Sequence, residues 1–171
     1  MAPIEVNHRI PSATFGHSGN PEEVGACARP STISSDELFN NKKVVIFAVP
    51  FAYSPGCQGT HVPGFLEHYD QIKAKGVDTV ACVSTDSVWV MDAWGKALGV
   101  GSKILMLSDA HAEFFDKLGL TVDSTASPRA GFYLKRPERF ALIVDNGTVK
   151  YVGVDARDIQ RSAAATVLAN L

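Results

Sequence analysis

The chain is poor in cysteine, in net charge and in long apolar runs. Only three cysteines, Cys27, Cys57 and Cys82, occur in 171 residues. So low and odd a count does not build the disulfide framework of a small secreted domain. Sixteen Lys and Arg stand against eighteen Asp and Glu, for a formal net charge of −2. The basic surplus of a nucleic-acid binder is missing. No apolar run approaches the roughly 20 residues of a membrane-spanning helix, so neither nucleic acid nor membrane is an expected partner. There is no Cys-x-x-Cys pair, and the five histidines are not spaced with acids or cysteines as metal ligands are. No metal is expected. Gly99-Val100-Gly101-Ser102-Lys103 has the residue types of a phosphate loop in the wrong order and spacing, so no nucleotide is expected, nor haem or flavin. The first eleven residues lack the apolar stretch of a secretory signal. Asn146-Gly147-Thr148 therefore reads as a turn and not as a glycan acceptor. The final Ala169-Asn170-Leu171 shares with the peroxisomal tripeptide only its small first residue and its leucine. The expected compartment is reducing, the cytoplasm, with peroxisomal or mitochondrial import left open.

What is present is enough apolar residue, 46%, to fold residues 1–171 as one domain without covalent staples. Val44 to Val49 is a continuous apolar run ended by Pro50, the pattern of a strand buried on both faces. A short helix is expected from Ser34 or Ser35 through Phe39, capped by serine with Asp36 and Glu37 in its first turn. From Cys57 to Lys75, Phe65, Leu66, Tyr69 and Ile72 recur at helical spacing. Pro63 and Gly64 are expected to kink this helix and Gly76 to end it. Strands are expected over 77–83 and 104–107, and helices over 87–98, 112–118 and 162–169. Residues 119–138 read as irregular. Phe140–Val144 and Val149–Val154 form a hairpin across Asn146-Gly147, the preferred pair for a type I′ turn. Strands alternating with helices predict an α/β fold: a central, mostly parallel sheet with an antiparallel C-terminal hairpin and helices on both faces.

Cys57 follows a buried strand and a proline turn and opens a helix. There the free N–H groups and the positive helix end favour a thiolate. The carboxyl ends of the strands in an open α/β sheet are also where sites form. Position alone leaves two readings, a nucleophile or an inert helix-start cysteine. The surrounding residues, Pro50-Phe51-Ala52-Tyr53-Ser54-Pro55-Gly56-Cys57, have the form P-x-x-x-[ST]-x-x-C. This resembles the active-site loop of peroxiredoxins. Thr60-His61-Val62-Pro63-Gly64-Phe65, Trp94-Gly95 and Arg139-Phe140-Ala141-Leu142-Ile143-Val144 resemble the type II, peroxiredoxin-5-like subfamily, over nearly the whole chain.

The resemblance implies a thioredoxin-like fold and a thiol-dependent peroxidase. By it, Cys57 is the peroxidatic nucleophile, which attacks a peroxide oxygen. The Ser54 hydroxyl hydrogen-bonds the sulfur and the peroxide. The Arg139 guanidinium stabilises the thiolate and the charge on the leaving oxygen, and Pro50 walls the pocket. Two residues depart from the subfamily pattern: Phe51 stands where glycine is usual and Tyr53 where phenylalanine is usual. Without the resemblance, Arg139 reads more readily as a solvated strand-start charge, and Arg129 and Arg136 are competing arginines. His61, four residues after Cys57, shares its side of the helix and reads as a site-tuning or orienting residue, not as a base. No oxyanion hole or third group supports a Cys57-His61 hydrolase. Trp89 is the candidate dimer contact, because this helix start lies near one in the subfamily.

A sulfenic acid on Cys57 needs a second thiol. The tail from Asp155 onward lacks the resolving cysteine of mammalian relatives. Cys82, 25 residues after Cys57, has the spacing of plant members but reads as a buried strand residue. Cys27, 30 residues before Cys57, has the spacing of fungal relatives that pair it across two subunits. An external thiol reductant such as thioredoxin, glutaredoxin or glutathione is the third route. The expected function is reduction of hydrogen peroxide and alkyl hydroperoxides by a homodimer that needs no cofactor. A peroxide sensor or redox relay, and a thioredoxin-fold binding module with an inert cysteine, stay as alternatives.

Overall fold

The computed structural model describes residues 2–171. Its main sheet has seven strands. Thr14–Ser18 is β1, Pro30–Ser34 β2, Lys43–Ala48 β3, Thr79–Ser84 β4, Ile104–Ser108 β5, Arg139–Asp145 β8 and Thr148–Asp155 β9, in the order β2-β1-β5-β4-β3-β8-β9. Thr121–Asp123 (β6) and Lys135–Pro137 (β7) make a separate two-stranded ribbon. The centre, β3-β4-β5, is parallel, as the alternation of strands and helices predicts. Antiparallel pairing is more extensive than the one expected hairpin, because β8 also runs against β3 and a second antiparallel pair, β1 with β2, closes the far edge.

Alternate residues of the central strands face opposite ways, and both faces are covered. Val45, Phe47, Cys82, Ala141 and Ile143 pack with Phe65, Ile72, Trp94 and Cys57 on one side. Val44, Ile46, Val83, Leu142 and Val144 pack with Leu38, Phe114 and Phe115 on the other. This is why the run 44–49 shows no polar alternation.

The helices are Ser35–Phe39 (α1), Val62–Glu67 (α2), Tyr69–Ala74 (α3), Val88–Leu98 (α4), Glu113–Leu118 (α5) and Ala164–Ala169 (α6). Ser34 caps α1 in a reciprocal box with Glu37. Gly76, at φ +81°, ends the turn after α3. The expected helix from Cys57 to Lys75 is divided into three pieces, the first division lying just before Pro63 and the second at His68. It starts as a π-helical turn, Cys57–His61, in which the Val62 N–H reaches the Cys57 carbonyl. It then breaks at His68, whose backbone N–H and Nδ1 both approach the Gly64 carbonyl, at 3.1 and 2.9 Å. Residues 119–138 are not wholly irregular, since they contain β6 and β7. Asn146 and Gly147 both have positive φ, as a type I′ turn requires.

Candidate active site

The site forms where β3 ends. Its last residues deliver the chain to Pro50, half-buried at the sheet's carboxyl edge, and residues 51–54 turn it back into the helical segment that carries Cys57. Tyr53 makes this turn with φ +60°, a conformation that costs a side chain with a Cβ about 1–2 kcal/mol. The Cys57 side chain is fully buried, on the sheet face that also carries Cys82.

Two polar side chains reach the Cys57 sulfur. Ser54 Oγ lies 2.8 Å from Sγ and 3.1 Å from the Phe51 carbonyl. Its single proton serves one of them at a time, so the hydroxyl can donate to a thiolate, or accept from a thiol while donating to the carbonyl. Arg139, the first residue of β8, donates from Nη2 to Sγ at 3.3 Å. Two polar side chains thus converge on one buried sulfur.

His61 fixes the other arm of Arg139. Arg139 Nη1 lies 2.9 Å from His61 Nδ1, and His61 Nε2 lies 3.0 Å from the Ser162 carbonyl. Arginine only donates and a carbonyl only accepts. The ring is therefore neutral, accepting at Nδ1 and donating at Nε2. Burial lowers its pKa to about 4, a shift that the Ser162 carbonyl opposes and the Arg139 charge adds to. His61 thus bridges Arg139 and the Ser162 carbonyl as a neutral ring. Its ring packs against Phe47 and Phe65, whose own rings stack at 3.9 Å.

Asp155 and Asp86 carry out supporting work that sequence reading did not identify. Asp155, opposite Arg139 in the β8–β9 register, accepts from the backbone N–H groups of Gln160, Arg161 and Ser162 and from the Ser162 hydroxyl. Burial pushes its carboxyl up, but these hydrogen bonds outweigh that and hold it below the usual range. The effect is to fix the Ser162 carbonyl that receives His61. Asp86, just past β4, is 4% exposed and accepts from the Ala52 N–H at 2.8 Å and from the Tyr133 hydroxyl at 2.7 Å. Burial and the Asp86 carboxylate push the Tyr133 phenol up to about 12, so it remains a donor. An acid two residues past the end of a central parallel strand is the available signal for Asp86.

The remaining candidates lie apart from this cluster. Arg136 sits over the Phe51 ring and Arg129 over the Phe132 ring, so neither reaches the sulfur as Arg139 does. Cys82 is fully buried at the centre of β4. Burial first, then the nearby Cys57 and Asp86 charges, push its thiol well above the ordinary value. Cys27 is exposed in the β1–β2 connection. That segment is anchored, not loose: Asn20 Nδ2 donates to the Cys27 carbonyl and Lys96 Nζ to that of Ala26. Cys27 lines a cavity of about 310 Å³ with Trp89, which is 58% exposed, and neither Ser54 nor Arg139 borders that cavity. Among the described residues no group of three or more His, Cys, Asp or Glu could hold a metal ion, and no helix is long and apolar enough to cross a membrane.

Comparison with known proteins identifies the family. The Redoxin family model matches residues 5–168. Peroxiredoxin Pen c 3 of Penicillium citrinum is 37% identical over 87% of this chain and 85% of its own length. Peroxiredoxin-2E, chloroplastic, of Arabidopsis thaliana is 34% identical over 90% of this chain, which spans 63% of that relative. The crystal structure of reduced Prx3 from Vibrio vulnificus in complex with hydrogen peroxide is 40% identical, covers 97% of this chain and 98% of its own, and superposes with a TM-score of 0.85. Both the sequence relatives and the shared thioredoxin-like fold lead to one assignment: the chain belongs to the peroxiredoxins, thiol-dependent peroxidases within the Redoxin family.

Proposed function

We propose that Cys57 is the peroxidatic residue of a type II peroxiredoxin that reduces hydrogen peroxide and alkyl hydroperoxides. The observation that carries this reading is the convergence of Ser54 Oγ and Arg139 Nη2 on the buried Cys57 sulfur. The thiolate attacks the hydroxyl oxygen of the peroxide, the S–O bond forms as the O–O bond breaks, and the electron pair leaves on the distal oxygen. Arg139 lies where it can stabilise that developing oxyanion. The leaving oxygen takes a proton from solvent to become water or an alcohol, and Cys57 is left as a sulfenic acid. Pro50 helps keep bulk water from the sulfur.

Recycling then follows from the placement of the other thiols. Cys82 is a poor resolver, because burial keeps its thiol protonated. Exposed Cys27 is the better candidate. It does not share the Cys57 site within one protomer, so the pairing we propose joins Cys27 of one subunit to Cys57 of another, with water released as the S–S bond forms. Exposed Trp89 beside Cys27 fits a place in the homodimer contact. A thioredoxin, glutaredoxin or glutathione-type thiol reduces that disulfide, or the sulfenic acid directly if Cys27 does not pair. Cytoplasmic action accords with this need for reductant.

The test is peroxide consumption with dithiothreitol as reductant, together with non-reducing electrophoresis of the peroxide-treated protein. Cys57→Ser is expected to abolish turnover, and retained turnover overturns the assignment. Wild type is expected to run as a covalent dimer that Cys27→Ser does not form. A monomer with trapped Cys57 sulfenic acid in wild type replaces the intersubunit route with the external thiol.

A further inference from the structure

Two features on the far side of the peroxidatic turn are not explained by the chemistry at the sulfur: a buried acid, and an aromatic cluster where the sequence departs from its subfamily. Asp86 Oδ2 accepts from the Ala52 N–H at 2.8 Å and from the Ser84 hydroxyl at 2.6 Å. Its Oδ1 accepts from the Tyr133 hydroxyl at 2.7 Å. Phe51, the residue before Ala52, packs edge-on to Phe132 at 5.2 Å and stacks on Tyr133 at 5.8 Å, with the Arg136 guanidinium over its ring. Tyr133 therefore grips the turn twice, by its ring at Phe51 and by its hydroxyl through Asp86.

We propose that Asp86 and Tyr133 form a latch that positions the Pro50–Ser54 turn, and through it the Ser54 hydroxyl and the Cys57 sulfur, for reaction with peroxide. The proposal rests on Cys57 being the peroxidatic residue. The linkage is short and continuous. Asp86 holds Ala52, whose successor Tyr53 is in the left-handed region, a conformation that persists only where its surroundings enforce it. The Phe51 carbonyl and the Cys57 sulfur are the two acceptors within reach of Ser54 Oγ. Releasing Ala52 frees Phe51 and Tyr53 to relax, which moves both ends of the Ser54 hydrogen-bond pattern. Asp86 touches neither sulfur nor peroxide, so it is a positioning residue.

The latch also opposes the later step. Cys57 is fully buried, so its sulfenic acid meets a resolving thiol only if the turn opens. While the turn stays closed, a second peroxide can oxidise the sulfenic acid to sulfinic acid, with one oxygen transferred and one water or alcohol released. Breaking the latch should therefore slow the first oxidation and, per sulfenic acid formed, reduce the sulfinic fraction.

The test uses stopped-flow oxidation of the reduced full chain by hydrogen peroxide, with sulfinic acid quantified by intact mass after repeated peroxide cycles in dithiothreitol. Asp86→Ala is expected to lower the second-order rate by roughly tenfold to a hundredfold. Asp86→Asn should recover much of that rate, since its carbonyl can accept from Ala52 while its amide donates to the Tyr133 oxygen. Tyr133→Phe keeps the ring and removes only the hydroxyl, and is expected to give a smaller fall in rate with fewer sulfinic products per turnover. If Asp86→Ala does not fold, the other two variants decide. Wild-type rate and wild-type sulfinic yield in Tyr133→Phe, or equal rates in Asp86→Ala and Asp86→Asn, overturn the latch. Cys57→Ser run alongside separates the two ideas: if it still reduces peroxide, the site assignment fails, and if it is inactive while the latch variants match wild type, only the latch fails.

Discussion

His61 should make the stability of the protein depend on pH in a window where most surface groups do not titrate. The ring is 1% exposed, and burial depresses its pKa from 6.5 to about 4. Between those values the unfolded chain binds a proton that the folded chain refuses, so acid draws the equilibrium toward unfolding. The stabilisation is fully present above pH 6.5 and is lost progressively as pH falls toward 4. A shift of this size, at about 1.4 kcal/mol per pH unit, corresponds to roughly 3 kcal/mol. Carboxylates contribute their own acid sensitivity near the lower end, so the measurement is a difference. His61→Gln keeps an acceptor for Arg139 and a donor for the Ser162 carbonyl, but does not titrate. Urea unfolding of reduced wild type and His61→Gln, at one protein concentration and at several pH values from 7.5 to 4.5, gives two stability curves. They are expected to converge on acidification, with wild type losing most of that 3 kcal/mol relative to the variant. Parallel curves would refute the buried neutral ring, and with it the assignment of His61 as the acceptor that holds Arg139.

Arg139→Met keeps an unbranched apolar stem while removing both the donor to Cys57 and the partner of His61; the rate of Cys57 oxidation by hydrogen peroxide should fall by about 10²–10³, measured by stopped flow with folding checked by circular dichroism. Cys82→Ala is expected to retain most steady-state peroxide turnover with dithiothreitol, because a buried protonated thiol in β4 takes no part in recycling; loss of turnover in a folded Cys82→Ala protein would make Cys82 a resolving residue after all.

How far the sequence could be read depended on how locally each feature is encoded. The run 44–49, the helix expected over 87–98 and the Asn146-Gly147 turn are each specified within a few residues, and each appears where expected. The spacing of Ser54 and Cys57 is equally local, since both lie on one tight turn. β1 and β2 carry no legible strand pattern, because only Phe15 among their residues is buried and Pro30 opens the second of them. The three-residue strands β6 and β7 are too short to show a period. The contacts that finish the site join distant positions: Arg139 to His61, Ser162 to His61, and Asp86 to Tyr133. Nothing in the local pattern around Ser162 or Tyr133 announces such a partner, because the pairing is created by where the strands come together. Only the resemblance to a family singled out Arg139 from Arg129 and Arg136. The distances supply the separate physical reason: one guanidinium reaches the sulfur and the other two cover aromatic rings.

The three cysteines differ in what surrounds each sulfur more than in sequence context, and those surroundings divide the chemistry. Cys57 and Cys82 are both fully buried on the same face of the sheet, yet only Cys57 is met by hydrogen-bond donors, from Ser54 and Arg139. Burial without donors leaves Cys82 a protonated thiol, whereas the Cys57 sulfur has Ser54 and Arg139 within hydrogen-bond distance. Cys27 is exposed and lies outside that site, so it can meet Cys57 only after the peroxidatic turn has opened and, in our reading, only across a subunit boundary. A closed turn therefore favours attack on peroxide and an open one favours disulfide formation. The hydrogen bonds that hold the turn closed in the reduced state thus bear on the rate of both half-reactions, in opposite directions.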